Sequence, residues 1–241
     1  MIKRILISFK MQSILIVFCL LSKGLIANDQ RIDDVFNTIK KSISYNHQIF
    51  SEEEWEKIHW EIVKDENLIA EYDGQFAIHI GHTLFSKCSE FGIDANAILA
   101  HIIAHEFVHI LEHKSYYRIR HKIETAQEIV ADYDGVLIAY MAGYEISNKE
   151  SMTIFLNKNL AQYDNNNPTG RMENMAHCLE EIERVCIVYK ASQLMYAQKE
   201  FDQCIKYLNL VKPLLRHTYI LEINNKNIAI CYIQKAIESF L

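Results

Sequence analysis

Seven glycines and two prolines are all that punctuate 241 residues. A β-sandwich or barrel reverses its chain every few residues and draws on those two residue types to do so. A chain this poor in both is expected to be mainly helical. Half of its residues are hydrophobic and 11% are aromatic, which argues against disorder and allows one packed domain with a helical appendage. The formal charge of −6 lacks the basic footprint of a nucleic-acid binder, so no nucleic-acid partner is expected.

The first 27 residues read as a secretory signal peptide. Lys3, Arg4 and Lys10 precede the apolar run Ser13–Leu21, and Ala27 offers a small residue at the cut. Lys10 and Lys23 bracket too few apolar residues for an ordinary span of ~20. The expectation is an exported protein, with an uncleaved membrane anchor as the alternative; a membrane is a partner only in that case. Cys19 follows Phe18, where a lipoprotein signal needs a small residue. Cleavage would remove four cations and leave a chain of charge −10. Of six cysteines, Cys88, Cys178, Cys186, Cys204 and Cys231 remain. With no C-x-x-C spacing they read as one or two unassigned disulfides or as buried thiols.

Along the chain the signals are mostly helical. Ser51-Glu52-Glu53-Glu54 before Trp55 is a capping box, with Phe50 placed to staple against Trp55. A helix is expected over about 52–64. Tyr72-Asp73-Gly74 marks a turn, and Phe76-Ala77-Ile78-His79-Ile80 a short strand. Asp94 is an N-cap candidate for the helical run from Ala95. A further helix is expected over Ile123–Met141, closed by Gly143. The polar stretch Asp164–Gly170 reads as a loop, and residues 171–241 as four or five short helices.

His105-Glu106-Phe107-Val108-His109 lies inside the apolar helical run. Positions four apart share a helix face, so both imidazoles can bind one Zn²⁺, and Glu106 can reach a water on that ion without being a ligand. A catalytic zinc takes three protein ligands and one open position. Glu128 follows on the next expected helix, within Glu128-Ile129-Val130-Ala131-Asp132. It is expected as the third ligand, and Asp132, one turn on, as acceptor for a ligand histidine, His105. Both acids sit in an apolar stretch, where burial is costly unless a carboxylate is paired or metal-bound. Asp134 is expected to be solvated. His113 extends the series 105, 109, 113, but that series rises about 12 Å, too far for one zinc with ~2.0 Å bonds. His101, His113 and His121 are read as surface or outer groups, and His79 and His82 as cleft-edge or solvent residues.

The two spaced motifs, with Ala142-Gly143-Tyr144 after the second, resemble zinc metallopeptidases of the HtpX and CAAX-prenyl-protease type over roughly residues 70–180. The resemblance implies a zincin-like α+β fold, mainly α with a small β edge and a metal-binding helix pair. It also implies peptide hydrolysis with Glu106 as base, and a protein or peptide substrate. Phe76–Ile80 would be the edge strand that pairs with extended substrate. Two features depart from that family. Asn167 stands where members often carry His before Pro168, with Arg171 earlier than usual, and the family's multiple membrane spans are missing. The soluble, exported branch, with a helical-repeat tail, is the closer match.

Residues 191–208 resemble one tetratricopeptide unit, with Ser192 and Cys204 at the close helix approach and Phe201-Asp202 in the turn. A weaker unit starts near Leu221, with Ala229 in the small position. The expected organisation is a leader over 1–27, a metallopeptidase domain over 28–180 and a helical tail over 181–241 that offers a surface to a protein partner. The rival reading is a non-catalytic zinc-containing chaperone or scaffold that binds partners through that tail. An intact Glu106 argues against it, because a structural zinc site needs no base.

Overall fold

Ser51 caps the helix its sequence marks. Its hydroxyl accepts from the Glu54 N–H, Glu54 reaches back to the Ser51 N–H, and Phe50 stacks on Trp55 at 5.2 Å. This helix, α2 (Glu52–Lys57), follows α1 (residues 29–43) in the computed structural model, which describes residues 29–43, 50–113, 124–146, 148–160, 168–215 and 218–240. The leader over 1–27 and His121 lie outside the described residues. Helix α2 ends well short of residue 64. Ile58 turns extended, and His59–Val63 becomes strand β1. That stretch is aromatic and β-branched, and a partner strand lies beside it, so pairing prevails over helix extension.

The partner is β3 (Ala77–Gly81), which runs parallel to β1 and antiparallel to β2 (Ala70–Tyr72), in the order β1-β3-β2. Gly74 takes φ +81° in the turn between β2 and β3, where Asp73 Oδ1 accepts from the Gln75 and Ala77 N–H groups. The strand expected over Phe76–Ile80 therefore exists, one residue later, but it is no edge. Ala77, Ile78, His79 and Ile80 lie in the central strand with a neighbour on each side, and Phe76 precedes it. Its backbone groups are spent within the sheet, so it has no free edge to offer to a further strand.

Beyond the sheet the chain is mostly helical, as the scarcity of glycine and proline implies. Helix α3 (Leu84–Ser89) and a 3₁₀ turn (Gly92–Asp94) lead into α4 (Ala95–His113), and α5 (Glu124–Met141) packs antiparallel on α4. Helix α4 is buried nearly all round from Ala95 to Leu111. Gly135 on α5 lets the two helices meet: a Cβ there would lie 2.9 Å from the His105 backbone nitrogen. Gly143, at φ +93°, closes α5 by donating to the Tyr140 carbonyl, and the Tyr144 N–H donates to Ala139. Asp94, expected to cap α4, accepts from Ser151 Oγ at 2.8 Å and from the Asn148 N–H. It thereby ties the start of α4 to α6 (Lys149–Leu160).

The last third forms fewer and longer helices than expected: α7 (Pro168–Ala197), α8 (Phe201–Val211) and α9 (Thr218–Phe240). No glycine or proline lies between Gly170 and Pro213, so nothing breaks α7 across the expected domain boundary at 180 and 181. The break at 198–200 is made by Lys199 in the left-handed region at φ +62°. Phe201, expected in the turn, is the first residue of α8 and is buried. Ser192 and Cys204 are buried between helices as the repeat pattern implies, but Ala229 is exposed. One core joins α1, the sheet, α3–α7 and the end of α8 at Val211, and a second, small one lies between α8 and α9. Among the described residues no helix is long and apolar enough to cross a membrane.

Candidate metal centre

Helix geometry alone brings His105 and His109 to one face of α4, and the antiparallel return of α5 sets Glu128 opposite them. His105 Nε2 and His109 Nε2 are 3.1 Å apart. Glu128 Oε2 is 3.3 Å from the first nitrogen, and Oε1 is 3.3 Å from the second. The three residues form a group whose ligand atoms all lie within 4.8 Å of one another. Two bonds of ~2.0–2.1 Å meeting at a tetrahedral angle separate their donor atoms by about 3.3–3.4 Å. The residues present therefore fit zinc in number, type and spacing.

The far side of each imidazole says which nitrogen is free to bind. His105 Nδ1 lies 2.9 Å from Asp132 Oδ1. His109 Nδ1 lies 3.4 Å from Glu112 Oε2. A carboxylate on Nδ1 holds the proton there and turns the Nε2 lone pair toward the partner ring. Two lone pairs and a carboxylate then converge on one point, an arrangement that a cation relieves. The same acidic surroundings act on protons when no metal competes. Burial pushes His105 down, but the hydrogen bonds it donates to Asp132 and Glu128 outweigh it and raise the imidazole to about 10. Burial likewise opposes His109, which Glu112 and Glu128 raise to about 9.

Glu106 is buried beside His105 and His109 and accepts the Tyr72 backbone N–H on Oε2 at 2.9 Å. Burial pushes its carboxyl above the ordinary value, against the pull of the charges on His105 and His109. A carboxylate raised in this way is a better proton acceptor near neutrality. The bond from Tyr72 also identifies the edge that faces the site. Ile69, Glu71 and Asp73 form the hydrogen-bonded positions opposite β3, so the backbone groups of Ala70 and Tyr72 point away from the sheet. The strand beside Glu106 is thus β2.

Sequence reasoning missed Glu112 and the Tyr72 N–H. An acid near the end of a helix looks like any solvated glutamate, and a main-chain donor leaves no mark in the sequence. It misjudged Asp134, which is 2% exposed; burial, then the charge of Glu112, raise its carboxyl well above the usual range. His101 is buried one turn before His105, with ring centroids 6.4 Å apart. His113 is exposed, with its ring 6.0 Å from that of Tyr72, and His79 is half-buried and His82 exposed. Asn167 lies outside the described residues, and Pro168–Arg171 begin α7 rather than a loop. No protein-family model, curated protein or solved structure matches this chain.

Proposed function

We propose that this chain is a zinc-dependent endopeptidase of the HtpX type, exported from the cytoplasm and acting on extended polypeptide. The observation that carries the reading is the convergence of His105 Nε2, His109 Nε2 and the Glu128 carboxylate, with Glu106 alongside on the strand-facing side. Zinc there supplies Lewis acidity, lowering the pKa of water toward ~7 and polarising a scissile carbonyl. Glu106 takes the proton of the attacking water on its carboxylate and passes it to the leaving amine. Asp132 and Glu112 hold the two imidazoles in the tautomer that leaves Nε2 free. The outward N–H and C=O of Ala70 and the C=O of Tyr72, whose N–H Glu106 already holds, give an extended peptide a strand edge to pair with beside the site.

A scaffold that keeps zinc only as a clamp has one observation in its favour. Ile230, Ile233 and Ile237 are exposed on one face of α9 and offer a partner-binding stripe. The two readings part on Glu106. Zinc analysis and peptide-library cleavage are compared for the wild type and Glu106→Gln. An endopeptidase keeps its zinc in the variant and loses about 10²–10⁴ in rate. Undiminished cleavage by the variant, or a zinc-loaded wild type that cleaves nothing, removes the proposed chemistry.

A further inference from the structure

Away from the metal centre, the small core between α8 and α9 contains two sulfurs side by side. Cys204 Sγ and Cys231 Sγ are 3.3 Å apart, and both residues are almost fully buried, at 3% and 2% exposure. Ile205 and Leu208 complete this core, with Tyr189, Met195 and Ile228 packed against it. We propose that Cys204 and Cys231 are joined by a disulfide in the mature protein, a covalent staple that fixes α9 to α8.

Geometry favours this pair. A disulfide needs its sulfurs ~2.05 Å apart, so closure from the observed separation takes a small side-chain rotation. Cys178 and Cys186 share α7 at positions that rise about 12 Å along its axis, beyond each other's reach. Cys88 lies on α3, in the other core.

The architecture gives the staple a purpose. Helix α9 leaves Ile230, Tyr232, Ile233 and Ile237 exposed. Among the described residues its polar anchors include a surface pair between Glu238 and Lys199. Asn224 bonds the Leu208 carbonyl and the Tyr189 hydroxyl, and Lys235 pairs with Asp202 at the surface. Surface pairs add little. A helix held by so thin a core gains most from a crosslink, which here would close a segment 27 residues apart in sequence. An exported chain also meets the oxidising conditions in which such bonds persist.

The bond forms by exchange with a disulfide carrier, either a dithiol oxidoreductase or oxidised glutathione. One cysteine thiolate attacks the carrier disulfide, forming a mixed disulfide and releasing one carrier thiol. The second thiolate attacks that mixed bond, the Cys204–Cys231 bond forms, and the carrier leaves as its second thiol. Two protons and two electrons pass from the protein thiols to the carrier disulfide, which is reduced. Burial and the neighbouring sulfur push the Cys204 thiol up to about 12 in the folded chain. Exchange is therefore fast only before α9 docks, and the finished bond is shielded from reductants afterwards.

The test does not depend on the zinc site. The full chain is refolded in a mixture of oxidised and reduced glutathione, alkylated under denaturing conditions without reductant, and mapped by mass spectrometry. The expected result is a linked peptide pair containing Cys204 and Cys231, lighter by two hydrogens than the sum of its parts, with Cys88, Cys178 and Cys186 alkylated. The oxidised chain should melt several degrees above the reduced one, and Cys204→Ser or Cys231→Ser should abolish that difference. Alkylation of both Cys204 and Cys231, their linkage to other cysteines or their capture as glutathione adducts overturns the proposal. The mapping decides the matter on the wild type even where a serine variant fails to fold.

Discussion

At the scale of single residues, the candidate site is built from side chains that helix periodicity places on one face. The spacing of His105 and His109 puts two imidazoles on one face in any α-helix, and the spacing of Glu128 and Asp132 puts two acids on one face of the next. The structure brings His105, His109 and Glu128 into one group and sets Asp132 against His105. The residues that were not legible are those whose role depends on tertiary packing. Glu112 meets His109, and Asp134, expected in solvent, is buried. Asp132→Ala leaves the three proposed ligands in place but frees the His105 ring to turn. Loss of such a partner typically costs about 10–100-fold in metal affinity or activity. A zinc titration should therefore show weakened but measurable binding, with part of the activity restored by excess zinc. Unchanged affinity would return Asp132 to the role of an ordinary buried acid.

At the scale of elements, the two errors share one cause. The capping box set the start of α2 correctly, but the end of a helix depends on what the following residues find to pair with. His59–Val63 finds β3, a partner 18 positions along that local patterning cannot reveal. The same parallel pairing moves Ala77–Gly81 from the edge of the sheet to its middle and gives the site-facing edge to β2, whose three residues carried no signal. Gly135 is the hinge of the α4–α5 contact. A methyl group there would lie 2.9 Å and 3.0 Å from the His105 backbone nitrogen and Cα, atoms that no side-chain rotation can move aside. Gly135→Ala gains helix propensity of up to about 1 kcal/mol but incurs overpacking of roughly 1–3 kcal/mol. It is expected to lower the melting temperature modestly and zinc affinity more clearly, because the displaced backbone carries His105, a proposed ligand. Equal melting and equal zinc affinity in the variant would show that the helices have room to spare.

At the scale of the whole molecule, composition gave the fold class and little else. Scarce glycine and proline mean mainly helix, and a small three-stranded sheet packed beside α4 completes the architecture. The division of the helices was not legible, because the break after α7 rests on Lys199 in a left-handed conformation that its side chain does not advertise. Stability should depend on pH through the site. In the metal-free protein His105 and His109 are raised from the ordinary 6.5 to about 10 and about 9. Groups raised on folding stabilise fully below the unfolded value, and that contribution is lost as pH climbs through the folded ones. Zinc needs the same nitrogens deprotonated, so its binding strengthens over the same window. The melting temperature of the zinc-loaded chain should therefore pull away from that of the metal-free chain between pH 6.5 and about 10. A constant gap would mean that these imidazoles do not exchange protons for metal. The central claim, that His105, His109 and Glu128 together make a zinc centre, is tested most directly by titrating zinc into the metal-free wild type, Glu128→Ala and His113→Ala. The account predicts one tightly bound zinc per chain in the wild type and in the His113 variant, and none in the Glu128 variant. Stoichiometric zinc retained without Glu128 would contradict it.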